Sequence, residues 1–311
     1  MSNVVFMLKI ILTGLGNWSA GWHLVDRAVK EAERLGYWGV VFPDQYMWDP
    51  KDLGVESTEG IDSTLDTWTA LTYLAARTWT IKLGTWVTPI PLRPPGVLAK
   101  QVATLDVLSK GRTILGVGAG ITQRMFEGYS EWDPPRVRVD KTEEGLDLIL
   151  KLWHEDKVDH KGTHYSAKGA ILSPKPAQKP HPPLLFGGAG KRMLKLAGRY
   201  ADICYIPNWN KMNHVTARKI VLDEAQRYGR EKQVAFAEAY TPLAPTDQYD
   251  IKEYQKRAED AVKTGFEYFI TAFAWDIAPW EVNKSNAWQV EKHYMNHLIN
   301  FGRKIIPLFK K

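Results

Sequence analysis

At 311 residues, with 44% apolar composition and one cysteine, the chain can bury most of its unfolded surface without staples and can form no internal disulfide. No apolar stretch approaches the roughly 18 residues a membrane-spanning helix needs. The 41 Lys and Arg outnumber the 35 Asp and Glu by six and the pI is about 9.1, but the two signs interleave along the whole chain, which reads as a solvated surface and not a nucleic-acid face.

The opening MSNVVFMLKIILTG lacks the basic region and small-residue cleavage site of a leader, so it reads as a strand over 6–13, and a reducing, cytoplasmic setting is expected. Apolar residues at 22, 25, 28, 29, 32 and 35, stopped by Gly36, predict a first helix. The same logic then alternates without a break. Strands are predicted at 39–43, 81–87, 113–117, 183–186, 201–206, 234–240 and 266–273. Helices are predicted at 64–77, 96–109, 137–153, 191–199, 213–228, 251–263 and 288–301. The strands are short and apolar on both faces, as buried parallel strands are. Eight such units predict an α/β protein with a parallel sheet, better closed as a (β/α)8 TIM barrel than opened as a doubly wound sheet. No repeat or linker divides the chain, so residues 1–311 read as one domain with an excursion, 154–182, inserted over one end of the barrel.

Catalytic groups in such a barrel sit at the C-terminal ends of the strands. Those ends carry Trp18, Asp44-Gln45, Trp86-Val87-Thr88, Gly118-Ala119-Gly120, Gly187-Gly188-Ala189-Gly190-Lys191, Trp209 and Trp275. Few are ionisable, and small residues and tryptophans dominate, which suits a flat aromatic cofactor better than a hydrolase's acid–base pair. GGAGKR, 187–192, follows a strand and opens a helix. Its glycines, the helix N-terminus and the charges of Lys191 and Arg192 make a phosphate cradle, with a plain strand-to-helix turn as the alternative. GVGAG, 116–120, has the wrong spacing and place for a dinucleotide fingerprint and reads as close packing at a strand end. Asp44 suits a sugar hydroxyl or ring N–H, or else anchors a loop. Trp18, Trp209 and Trp275 are candidates to line an apolar substrate pocket. The eight histidines are scattered, and no H-E-x-x-H, C-x-x-C or G-x-S-x-G occurs, so neither a metal centre nor a serine hydrolase is expected.

GYWGVVFPDQ, the run from LDTWTALTYLAARTWTIKLGTWVTPIPLRPPGVLAKQVATLDVLSKGRTILGVGAG, GLDLILKLW and PPLLFGGAGKRMLKLAGRYADICYIP together resemble the bacterial luciferase-like monooxygenase superfamily, in particular its coenzyme F420-dependent oxidoreductase branch. The resemblance implies a TIM barrel whose mouth holds F420, or alternatively FMN. It implies that the Trp86–Val87 peptide is cis and backs the ring. Asp44, Ala119 and Gly120 match cofactor-contact positions, and Gly187, Gly188, Gly190 and Lys191 match the phosphate loop. Gln45 stands where the deazaflavin sugar-phosphate dehydrogenases carry a catalytic His, and Ile121 where they carry a catalytic Glu. Gln45 keeps the catalytic place as a hydrogen-bonding residue that cannot donate a proton at neutral pH. The expected activity is hydride transfer to or from a small apolar or aromatic substrate, with an FMN monooxygenase or a non-catalytic flavin-binding relative as alternatives. A homodimer is expected, with no nucleic-acid or membrane partner.

Overall fold

The computed structural model describes residues 7–14, 21–48, 62–207, 212–241, 250–273 and 287–310. Eight short strands alternate with helices. They are β1 (Lys9–Leu12), β2 (Gly39–Phe42), β3 (Lys82–Thr85), β4 (Thr113–Gly118), β5 (Leu184–Gly187), β6 (Ile203–Tyr205), β7 (Ala235–Tyr240) and β8 (Tyr268–Thr271). The helices are α1 (Gly21–Leu35), α2 (Thr67–Ala75), α3 (Pro95–Leu108), α4 (Gln123–Tyr129), α5 (Pro135–His154), α6 (Lys191–Tyr200), α7 (His214–Arg227), α8 (Ile251–Lys263) and α9 (Ala287–Lys304). The strands follow the order β5-β6-β7-β8-β1-β2-β3-β4, with β4 paired again to β5, which is the cyclic order of a (β/α)8 barrel.

The chain divides into two compact units. The first holds residues 1–67, 77–83 and 235–311. Here β7, β8, β1 and β2 run parallel, with Ile270 opposite Ile11 and Val40 opposite Leu12. Their side chains are buried apart from the half-buried Lys9, Ala235, Glu238 and Tyr240. Outside them Tyr254, Phe273, Tyr294 and Phe301 form an aromatic cluster with centroids 5.6 to 5.8 Å apart. The Tyr254 hydroxyl donates to the Ala272 carbonyl at 2.9 Å, which satisfies a polar group that burial would otherwise penalise. Helix α1 buries Leu24, Val25, Ala28, Val29 and Ala32 on one stripe. From its outer face the Glu33 carboxylate accepts the N–H groups of Trp79, Thr80 and Ile81, so the approach to β3 is anchored by one side chain.

The second unit holds residues 68–76 and 84–234. Strands β4, β5 and β6 pair in parallel, with Leu184 opposite Leu115 and Phe186 opposite Cys204. The third strand stops at Thr85, two residues before the predicted end. Trp86 and Val87 break the ladder through a cis peptide, and Thr88–Pro89 returns to pair with Val117 and Gly118. The excursion is a hairpin of its own, Val158–Lys161 against Ser166–Ala170. Its turn is capped by the Glu144 carboxylate of α5, which accepts the N–H groups of Thr163, His164 and Tyr165. Its tail is held at the start of β4: Gln178 donates to the buried Asp106 carboxylate and to the Thr113 carbonyl. No described helix is long and apolar enough to cross a membrane.

Candidate functional site

The second unit concentrates most of the expected site residues at the C-terminal ends of β3, β4 and β5. Thr85 and Thr88 flank the break in the third strand, and both are fully buried. The Thr88 hydroxyl donates to Thr85 Oγ1 at 3.0 Å, and the Gly116 N–H donates to the same oxygen at 3.0 Å. These bonds fix the step that turns Trp86 and Val87 out of the ladder, and both remain half-buried.

The methyl groups of Val87 reach toward the ends of β4 and β5. A Cβ placed on Gly118 would lie 2.5 Å from Val87 Cγ2, and one on Gly187 would lie 3.1 Å from Val87 Cγ1. Those glycines therefore let a branched side chain lie against two strand ends. Beyond Gly118 come the half-buried Ala119 and Gly120, then Ile121, which is 85% exposed.

After β5, Gly187-Gly188-Ala189-Gly190 turns into α6. Gly190 is the N-cap residue, and no side chain caps the helix. The first intrahelical bond is Leu194 N–H to the Gly190 carbonyl, so the N–H groups of Lys191, Arg192 and Met193 have no partner within the helix. Nothing lies within 4 Å of a Cβ built on Gly190. An uncapped ten-residue helix opening into free space suits an anion. Lys191 is exposed there. Arg192 instead reaches back to α5, donating to Asp140 Oδ1 at 2.5 Å and to the Arg136 carbonyl at 3.2 Å.

Sequence reasoning passed over one residue of this surface. Tyr205 ends β6 directly opposite Gly187. Its ring meets Trp86 edge-on, centroids 4.9 Å apart at 65°, and its Cδ1 would lie 4.0 Å from a Cβ on Gly187. The signal was the period of two along ICY, which sends Tyr205 to one side of the strand and Cys204 to the other. Cys204 is fully buried, and burial pushes its thiol up to about 12, with the nearby Arg218 charge opposing. It is a packing residue, with no thiolate at neutral pH.

Asp44 and Gln45 belong to the first unit, just past β2. Asp44 is fully buried and Gln45 half-buried. Their loop is tied to the start of α2, because Thr67 Oγ1 donates to the Pro43 carbonyl at 2.9 Å and Thr64 Oγ1 donates to the Gln45 carbonyl. Trp18, Trp209 and Trp275 lie outside the described residues. No cluster of three or more metal-ligating side chains occurs among the described residues.

Residues 12–264 match the family model described as luciferase-like monooxygenase. The chain is 38% identical over 130 residues to an F420-dependent glucose-6-phosphate dehydrogenase of Microbacterium testaceum (strain StLB037), a match covering 42% of this chain and 38% of that protein. It is 31% identical over 198 residues to a phthiodiolone/phenolphthiodiolone dimycocerosates ketoreductase of Mycobacterium sp. (strain JLS), covering 61% of this chain and 51% of the relative. The matches thus span from little over a third to about half the length of these curated relatives. In structure it is similar to an F420-dependent secondary alcohol dehydrogenase in complex with an F420-acetone adduct, with a TM-score of 0.75, 20% identity, and 98% of this chain and 99% of that one covered. At that identity the likeness speaks for the fold alone.

Proposed function

The chain belongs to the luciferase-like monooxygenase family, and from that membership we propose that it is a coenzyme F420-dependent oxidoreductase. It exchanges a hydride with a small, apolar or aromatic substrate at a carbonyl–alcohol centre. The relatives' names support this reading, since a sugar-phosphate dehydrogenase and a ketoreductase both work at such a centre. The observation that carries it is the seat of Val87 between Gly118 and Gly187, beside an uncapped helix N-terminus.

The residues present fit such a group. A planar ring needs an apolar platform brought close to backbone, and half-buried Trp86 and Val87 supply one. An anionic tail needs N–H groups and positive charge, and the start of α6 supplies N–H groups with no partner within the helix beside exposed Lys191. When bound, the deazaflavin supplies a carbon that accepts or releases hydride and disfavours oxygen chemistry. The protein's share is to hold the ring on Val87, hold the tail at α6 and keep the reacting face dry. On the resemblance alone, Asp44 is assigned to a cofactor contact and Gln45 to the catalytic position, as a hydrogen-bonding residue.

The same reading makes residues 1–311 one domain acting on a small molecule, in the cytoplasm and as a homodimer. Exposed Val97, Val107 and Leu108 on α3 support the pairing, and sedimentation of the purified chain tests it. The functional test is turnover of reduced F420 with simple ketones and aromatic aldehydes under anaerobic conditions. Oxygen-dependent turnover with reduced FMN and none with F420 would replace the reading with a monooxygenase.

A further inference from the structure

We propose that the Tyr205 phenol is the proton donor for this reaction, an inference that rests on the F420-dependent reading above. Reduction of a carbonyl forms a C–H bond from a hydride and an O–H bond from a proton, while the C=O π pair moves onto oxygen. The hydride is the reduced coenzyme's. The proton must come from a group beside the reacting carbon, and the two places where the resemblance supplies an acid hold Gln45 and Ile121. Neither has a proton to give at neutral pH.

The geometry points to Tyr205 as the replacement. Among the described residues at the ends of β3 to β6 (85–88, 118–121, 187–190 and 205–207), it is the one ionisable side chain, a phenol that can both donate and accept. Its Cδ1 and the Val87 Cγ1 both approach the place a Cβ on Gly187 would take, at 4.0 and 3.1 Å. Tyr205 is 6% exposed, and its ring is braced by Trp86 at 4.9 Å. A braced, buried aromatic loses little freedom when it positions a proton. In reduction the phenol O–H bond breaks, the proton passes to the substrate oxygen, and the phenolate recovers a proton from solvent. In oxidation the phenolate takes the alcohol proton as hydride leaves the carbon.

The test begins with F420 titrated into the unmodified chain, followed by absorbance, and then repeated with Tyr205→Phe beside ketone turnover. Removing a positioned general acid should lower kcat by ~100-fold or more, with F420 affinity changed by less than about twofold. A ring-fluorinated tyrosine at 205, with a more acidic phenol in the same shape, should bind F420 equally and alter kcat. That second variant decides the matter if Tyr205→Phe fails to fold. Full turnover in Tyr205→Phe, a fluorotyrosine rate equal to that of the unmodified chain, or loss of F420 binding in either variant would overturn the donor role and leave the F420 reading standing. Failure of the unmodified chain to bind F420 would overturn both.

Discussion

Val87 and Gly118 cannot both carry side chains: Val87 Cγ2 lies 2.5 Å from where a Cβ on Gly118 would sit. Gly118→Ala should therefore push Val87 out of its seat, at a cost of ~1–3 kcal/mol. Denaturant unfolding measures the cost, and cofactor titration measures the lost platform. Adding Val87→Ala should recover part of the stability but none of the affinity. A double-mutant cycle with no coupling would show that the two residues are independent.

Lys191 and Arg192 are adjacent in sequence and engaged differently. Arg192 is paired with Asp140 at a half-exposed site, so Arg192→Ala should change stability by less than ~1 kcal/mol and affinity little. Lys191 is exposed at the uncapped turn. Lys191→Ala should weaken cofactor binding about tenfold, the value of one charge-assisted contact of ~1.5 kcal/mol. Calorimetric titration of both variants orders them, and a larger loss from Arg192 would move the phosphate toward α5.

Asp106 is fully buried, and its carboxylate accepts Thr113 N–H at 3.3 Å, Gln178 N–H at 2.8 Å and Gln178 Nε2 at 2.7 Å. Asp106→Ala orphans the buried Thr113 N–H and two half-buried Gln178 donors at once and should cost ~3 kcal/mol or more. The damage should be local to the excursion's tail and the start of β4, so hydrogen exchange should rise there first.

Glu144 sets a pH dependence. Burial raises its pKa, but bonds from the Tyr165, His164 and Thr163 N–H groups outweigh this and hold the carboxyl below its ordinary 4.5. A depressed carboxylate contributes stability that is present above its unfolded value and is lost as pH falls through the folded one. Melting temperature should therefore drop below about pH 4.5, and Glu144→Gln should flatten that drop while lowering stability at neutral pH. An unchanged acid limb in Glu144→Gln would assign the lability to other carboxylates.

The alternation of eight apolar runs with eight helical stripes was legible because burial on both faces leaves a strong pattern. Every predicted strand and helix has its counterpart, with ends shifted by a few residues. Helix α4 was not legible, since Gln123–Tyr129 buries only Met125 and Phe126 and carries too short a stripe. The hairpin in the excursion was hidden for a similar reason: Val158 is its one buried strand residue. The glycine turn and the Trp86–Val87 break were readable from composition and from the resemblance. The pairing of Arg192 with Asp140 depends on how α5 lies beside α6, which no local pattern encodes. Tyr205 was not legible, because the tyrosine's place opposite Gly187 emerges only from sheet register.

The central claim is that the strand ends around Val87, Gly118 and Gly187 carry a deazaflavin whose phosphate sits at the start of α6. Parallel equilibrium titrations of the unmodified chain with F420 and with FMN, read by absorbance, test it most directly. The account predicts tight, saturable binding of F420 that weakens in Gly118→Ala and Lys191→Ala, with FMN bound poorly. Preferential binding of FMN, or F420 binding indifferent to both substitutions, would contradict it.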